Sequence, residues 1–172
     1  GIKIPVLSTR SLKNISVIEK NTETTETKEK EFFLRCEAGA SIDSLIDFCI
    51  EKGFTGLENF AGLPGSIGGA VYMNARCYDV SISDVLSEVR FIDCKKMQNS
   101  LDFVSKDFFE SSVFDEKDWD YKKSPFQDNK KLIVEVILKV KKADTQSVRE
   151  KADKYIADRK EKGHFRFPSA GS

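Results

Sequence analysis

Histidine is nearly absent from this chain of 172 residues, His164 being the only one. With no histidine pair, and no Cys-x-x-Cys among Cys36, Cys49, Cys77 and Cys94, the ligand set of a structural zinc site is missing. Net charge is absent as well. Its 28 Lys plus Arg balance 28 Asp plus Glu, and the pI near 6.8 lies far from that of domains that hold nucleic acid through a basic face. No apolar run approaches the ~20 residues that cross a bilayer, so membrane insertion through a helix is not expected. No basic and then apolar leader pattern opens the sequence. The cysteines therefore read as reduced, mostly buried small apolar residues of a cytosolic protein.

What is present suffices for one domain. Apolar residues make up 40% of the chain and include 13 Phe, and a domain of this size buries about 68 to 70% of its unfolded surface without help from disulfides or metals. The first residue is Gly1 and the last four are Ser-Ala-Gly-Ser with no closing element. On this reading the sequence is a segment cut at both ends.

Periodicity predicts the main elements. Residues 20–31 (KNTETTETKEKE) are polar and aperiodic, as in a solvated loop or hairpin tip, and Phe32 to Glu37 reads as a strand. Ser41 is an N-cap for a helix in which Ile42, Leu45, Ile46 and Cys49 recur at helical spacing, with Gly53 as its left-handed end. Glu88 to Cys94 and Leu132 to Val140 alternate as strands. In the second, Val134, Val136, Leu138 and Val140 are expected on one face and Glu135 and Lys139 on the other. A charged helix then starts at Asp144 or Thr145, with Val148, Ala152, Tyr155 and Ile156 as its stripe and basic residues in its last turn. Strands interspersed with two long helices make an α+β domain with a mixed, mostly antiparallel sheet.

The informative stretch is Gly56 to Tyr78, GLENFAGLPGSIGGAVYMNARCY, with five glycines in its first fourteen residues. Clustered glycine lets backbone N–H groups approach a phosphate, and a following helix start adds its dipole. Glycine count alone favours the plainer role, a turn that lets two elements pack. The spacing is neither GxxxxGK[ST] nor GxGxxG.

The string as a whole resembles the flavin-binding core of the UDP-N-acetylenolpyruvoylglucosamine reductases of peptidoglycan precursor synthesis. Tyr121-Lys122-Lys123-Ser124-Pro125-Phe126 resembles that family's Tyr-Arg-x-Ser-x-Phe segment, the strand Leu132 to Val140 follows it in order, and Pro168-Ser169-Ala170-Gly171-Ser172 resembles the closing Pro-Ser-Ala-Gly-Ser. The resemblance implies an FAD enzyme in which NADPH reduces a noncovalent flavin, and hydride then passes to UDP-N-acetylglucosamine enolpyruvate to give UDP-N-acetylmuramate. It implies that Pro64, Gly65, Ser66, Ile67, Gly68 and Gly69 lie along the FAD pyrophosphate, with Asn74 a further cofactor contact. It assigns Ser172 as the general acid, and Tyr121, Lys122 and Ser124 to the UDP-sugar substrate, with Lys122 also stabilising the enolate. By the same resemblance, residues 1–165 are the second subdomain of an FAD-binding domain and 166–172 begin a substrate domain. The family's Gly-Gly-Gly-Ser-Asn loop and its catalytic glutamate lie outside this sequence, so the segment alone is not expected to turn over.

The departures from the pattern are specific. Lys122 stands for arginine, keeping the charge but losing the planar fork, and Lys123 competes with it for the role, as does a pair of merely solvated lysines. Arg76 and Asp79 replace two glycines and are strained wherever those positions need positive φ. Cys77 reads as packing, His164 as a surface or packing residue, and Arg159-Lys160-Glu161-Lys162 as a solvated helix end. The alternative function is a noncatalytic flavin- or nucleotide-binding remnant, which needs neither Ser172 nor a cation at 122.

Overall fold

The structure is a computed structural model that describes residues 3, 6–18, 32–98, 109–128 and 130–167. The expected loop at 20–31 and the closing Pro168 to Ser172 lie outside the described residues. In chain order the elements are β1 (Ile15–Ile18), β2 (Phe32–Glu37), α1 (Ile42–Lys52), β3 (Phe54–Thr55), α2 (Ile67–Tyr72), β4 (Arg76–Cys77), β5 (Val80–Ser81), β6 (Leu86–Asp93), α3 (Cys94–Gln98), β7 (Phe109–Val113), β8 (Lys131–Lys142) and α4 (Thr145–Glu161). The main sheet runs β1-β2-β8-β6-β7, β3 adds to the end of β8, and β4-β5 form a separate hairpin. Every pairing among the described residues is antiparallel. No helix among them is long and apolar enough to cross a membrane.

Local signals explain the two long helices. The Ser41 hydroxyl accepts the Ser44 N–H and Gly53 closes α1 at φ 65°, while the Asp144 carboxylate caps α4 at the Ser147 N–H. Ile42, Leu45, Ile46 and Cys49 from α1 and Val148 and Ala152 from α4 join Leu34, Cys36, Val89, Val136, Leu138 and Val140 in one buried cluster. Cys36, Cys49 and Cys77 are buried and free, and Cys94 is half-buried. Burial pushes the Cys36 thiol up and the Cys49 thiol up to about 12, so both behave as apolar packing groups.

Two expectations about faces fail, each for a tertiary reason. Alternation put Val134 on the core face of β8, but Arg90 pairs with Glu135 and Phe91 with Ile133, so Val134 is the extra residue of a β-bulge. The bulge reverses the parity, and Ile133 packs in the core while Val134 is half-buried. On the opposite face Glu135 lies as expected, between Arg35 at 3.4 Å and Arg90 at 3.0 Å. On α4, Ile156 is 39% exposed, and the stripe continues instead through Arg159, which is 5% exposed. Arg159 is thus not part of a solvated helix end. Its Nε donates to the Ala61 carbonyl at 2.9 Å and its NH2 nitrogen to the Asn59 carbonyl at 3.4 Å, and its guanidinium lies 5.2 Å from the centroid of the Tyr78 ring.

The bulge makes an asymmetric prediction. Ile133→Ala lowers stability by about 2 to 5 kcal/mol, the usual cost of an emptied core site, whereas Val134→Ala costs less than about 1 kcal/mol. Urea denaturation of the two variants measures the difference, and equal losses would place Val134 back in the core.

Candidate functional site

The glycine-rich string divides into two parts with different jobs. In the first, Glu58 is buried and accepts the Gly56 N–H at 2.7 Å and the Thr55 hydroxyl at 2.5 Å, so its carboxylate is satisfied within its own turn. The carbonyls of Asn59 and Ala61 hold Arg159, and Gly62, at φ 74°, leaves room where a Cβ would come within 2.9 Å of the Phe165 ring. This part is a socket for the end of α4. Packing explains it completely.

The second part, Pro64 to Gly69, docks on the end of β2. Ile42 N–H donates to Gly65 O at 3.1 Å, Ile67 N–H to Ala40 O at 2.9 Å, and Gly68 N–H to Ala38 O at 2.8 Å. Glycine at 68 is required for that approach, because a Cβ there would lie 2.8 Å from the Ala38 Cβ. Ser66 then caps α2, its hydroxyl oxygen accepting the Gly69 N–H at 3.2 Å. The N–H groups of Ile67, Gly68 and Gly69 are therefore occupied internally. Those of Gly65 and Ser66 have no partner among the described residues. Gly65 is exposed at φ 127°, and a Cβ added there would meet nothing within 4 Å.

A cleft of about 360 Å³ opens beside this loop, lined by Thr9, Ser66, Gly68, Gly69, Tyr72 and Lys131 among others. Two N–H donors, one hydroxyl and a glycine surface free of side chains fit a diphosphate. Because α2 has only six residues, the loop's donors carry this fit and the helix dipole adds little.

The remaining expected residues sit at the other end of α2. Asn74, at φ 41° and 3% exposed, donates from Nδ2 to the Asp120 carbonyl at 2.9 Å and accepts the Ser83 N–H at 3.2 Å. Ser124 is buried, donating to the Tyr72 carbonyl at 2.7 Å and accepting the Phe126 N–H at 3.3 Å. These two side chains tie the end of α2 to a tight turn in which Lys123 N–H donates to Asp120 O at 2.9 Å. Tyr121 and Lys122 form the tip. Both are exposed, Lys122 has φ 54°, and its Nζ lies 5.5 Å from the Tyr121 ring centroid. Asn74 and Tyr121 line a second hollow of about 310 Å³ with Asp84, Trp119 and Lys139. Loop and turn are thus separated by one six-residue helix, about 9 Å long at 1.5 Å per residue. Ser172 lies outside the described residues.

The hairpin β4-β5 shows what the replaced glycines do. Its two-residue loop is Tyr78-Asp79, with φ 48° and 67°, the left-handed pair of a type I′ turn. Asp79 therefore does occupy a positive-φ position, whereas Arg76 lies in β4 without one and pairs with Asp79 at 3.3 Å. The Tyr78 hydroxyl donates to Asp158 at 2.5 Å and its ring packs on Tyr155. His164 is exposed, and no cluster of His, Cys, Asp and Glu suited to a metal occurs among the described residues. Sequence reasoning missed Glu58, Arg159 and Lys131. Glu58 had no periodic signal, Arg159 stands at helical spacing from Ala152 and Tyr155 but reads as solvated because it is charged, and Lys131 was hidden by the bulge.

A family model described as "FAD binding domain" matches residues 6–96, over half of the chain. UDP-N-acetylenolpyruvoylglucosamine reductase of Treponema denticola is 40% identical over 171 residues, covering 94% of this chain and 49% of the relative. That of Borreliella burgdorferi is 38% identical over 136 residues, covering 79% and 41%. The chain spans about half the length, or less, of these curated relatives. Among solved structures, UDP-N-acetylenolpyruvylglucosamine reductase from Thermus caldophilus superposes with a TM-score of 0.59 at 24% identity, over 73% of this chain and 42% of that one. A solvent-stable cholesterol oxidase superposes at 0.55 and 14% identity, over 80% and 25%. Both likenesses establish the α+β fold.

Two outcomes test the site's architecture. Gly68→Ala is destabilising by about 1 to 3 kcal/mol, because neither Ala38 nor the backbone can yield, while Gly69→Ala, without a positive φ and meeting only the Ser66 hydroxyl at 3.3 Å, costs less than about 1 kcal/mol; thermal denaturation separates the two. Burial, and then the hydrogen bond to Asp158, raise the Tyr78 pKa to about 12. The stability this contributes is complete below pH ~10, the free tyrosine value, and is lost as pH rises toward 12. Tyr78→Phe abolishes that part of the alkaline loss, and a wild-type tyrosinate absorbance without a late step would refute it. With its glycine-rich loop inside the matched span, the chain belongs to the FAD-binding domain family.

Proposed function

We propose that this chain is the central flavin-binding portion of an NADPH-dependent UDP-N-acetylenolpyruvoylglucosamine reductase acting in the cytoplasm in peptidoglycan synthesis. In this reading residues 1–165 are the second subdomain of the FAD-binding domain and 166–172 begin the substrate domain. The observation that carries it is that the residues of the sequence resemblance fall into one construction, the Pro64 to Gly69 loop and the Tyr121-Lys122 turn fastened to opposite ends of α2. The 40% identity to the Treponema denticola reductase supports the same choice.

Each group has a distinct task. Gly65 and Ser66 hold the FAD diphosphate through N–H groups and the Ser66 hydroxyl, while Ile67, Gly68 and Gly69 keep the loop's shape through bonds already made. Pro64 restricts the loop's entry, and Asn74 sets the turn at the far end of α2 by holding Asp120. The chemistry supplied by bound FAD is hydride transfer from NADPH to the enolpyruvyl double bond. Lys122, at an exposed turn tip held in a left-handed conformation, offers its ammonium to the substrate carboxylate and to the enolate as negative charge develops there. Tyr121 flanks it against the UDP-sugar, and Ser124 holds the turn in place through Tyr72. The Ser172 hydroxyl donates the proton that completes reduction of the substrate.

The proposal is tested in a protein carrying the whole length of the relatives. Ser172→Ala leaves flavin reduction by NADPH intact and slows reoxidation by the enolpyruvyl substrate by about 10² to 10⁴ in stopped-flow absorbance, the range for a positioned acid. Equal slowing of both half-reactions would remove Ser172 from this role. Lys122→Ala raises KM and lowers kcat, and Lys122→Arg restores both. A chain whose variants at 122 and 172 are both silent is the noncatalytic remnant.

A further inference from the structure

One side chain in the cleft is not accounted for by the loop or by the core. Lys131 opens β8, and the bulge at Val134 turns it to the face of Ile133 and Val136, which the sheet otherwise covers with apolar groups. Its Nζ lies 5.3 Å from the centroid of the buried Phe91 ring and 5.6 Å from that of the buried Phe126 ring. One proton goes to the Pro125 carbonyl at 3.3 Å. No carboxylate pairs with it among the described residues. Asp93, its cross-strand neighbour, accepts the Lys95 N–H at 2.8 Å, and the residues lining the cleft include neither aspartate nor glutamate. A half-buried ammonium without a counter-charge costs free energy that aromatic faces and one carbonyl offset only in part. The ammonium is also held in position, since it is laid against two buried rings.

The same cleft presents Ser66, Gly68 and Gly69, the Ser66 N–H having no partner among the described residues, like that of Gly65 next to it in the chain. Neutral donors on one wall and an uncompensated cation on another select an anion with oxygens pointing both ways. We propose that Lys131 is the cation that this cleft presents to the diphosphate of the bound dinucleotide, and that it distinguishes dinucleotide from the flavin ring alone. The inference deepens the cofactor reading of the cleft and rests on it.

The test titrates a protein carrying the whole length of the relatives, wild type and variant, with FAD, with ADP and with riboflavin, which carries the flavin ring but no phosphate. Binding is followed by flavin fluorescence and, for ADP, by calorimetry. Lys131→Met keeps an unbranched apolar stem over Phe91 and Phe126 and removes the charge and the bond to the Pro125 carbonyl, so the packing that holds the fold is retained. Lys131→Met weakens FAD and ADP by at least about tenfold, the usual loss for a charged hydrogen bond, and leaves riboflavin within about twofold. Lys131→Arg stays within about threefold of wild type for all three. The proposal is overturned if Lys131→Met binds FAD as tightly as wild type, or if riboflavin weakens in parallel with FAD. Wild-type protein of that length that binds none of the three overturns the cofactor reading of the cleft, and this inference with it.

Discussion

The backbone of Ala38 is the point on which the site depends. Its N–H donates to Val134 O at 2.9 Å, at the bulge of β8, and its carbonyl accepts the Gly68 N–H at 2.8 Å. Ala38 and Gly68 are both buried, where an unmade backbone hydrogen bond costs about 1 to 3 kcal/mol. The bulge therefore aims Ala38, Ala38 receives Gly68, and Gly68 can come that close only because it has no Cβ. From that contact α2 projects, and the tethers from Asn74 and Ser124 hang the Tyr121-Lys122 turn on its far end. A six-residue helix is thus the spacer between the glycine-rich loop, for which diphosphate binding is proposed, and an exposed cation, and such fixed spacing is what positioned chemistry requires.

A second, separate fastening keeps α4 on this scaffold. Burying the Arg159 guanidinium would be costly alone, but two backbone carbonyls and the face of Tyr78 receive it. Those carbonyls belong to the Asn59 and Ala61 portion of the glycine-rich string, and Phe165 closes over Gly62. One continuous stretch of sequence thereby serves two functions. Its first half joins the C-terminal helix to the core, and its second half shapes the cleft.

Backbone strain is distributed in a way that follows this division. Asn74, Tyr78, Asp79 and Lys122 are the non-glycine residues with positive φ among those described. Each such residue costs of order 1 kcal/mol or more and persists only where its surroundings hold it. Asn74 is held by Asp120 and Ser83, Tyr78 by Asp158 and Tyr155, and Lys122 through the bond from Gln127 to its carbonyl at 2.9 Å. The strained positions lie just beyond the end of α2, in the β4-β5 hairpin and at the Tyr121-Lys122 turn, outside the helices.

Helices α1 and α4 and strands β2, β6 and β8 were legible because caps and short apolar periods are local properties, written in neighbours such as Ser41 with Gly53 or Val136 with Leu138. The string from Gly56 to Tyr78 was equally legible as a candidate site, since a clustering of glycine is visible without a fold. What each glycine does was not. Whether an N–H is free or occupied depends on Ala38 and Ala40, distant in sequence, so only the tertiary structure distinguished Gly65 and Ser66 from Ile67 and Gly68. The same holds for side chains. Strict alternation placed Val134 within the core, and Arg159 read as solvated. A single extra residue in β8 and two carbonyls from a remote turn reversed those assignments, because parity and burial are settled by pairing partners and not by the chain's own period.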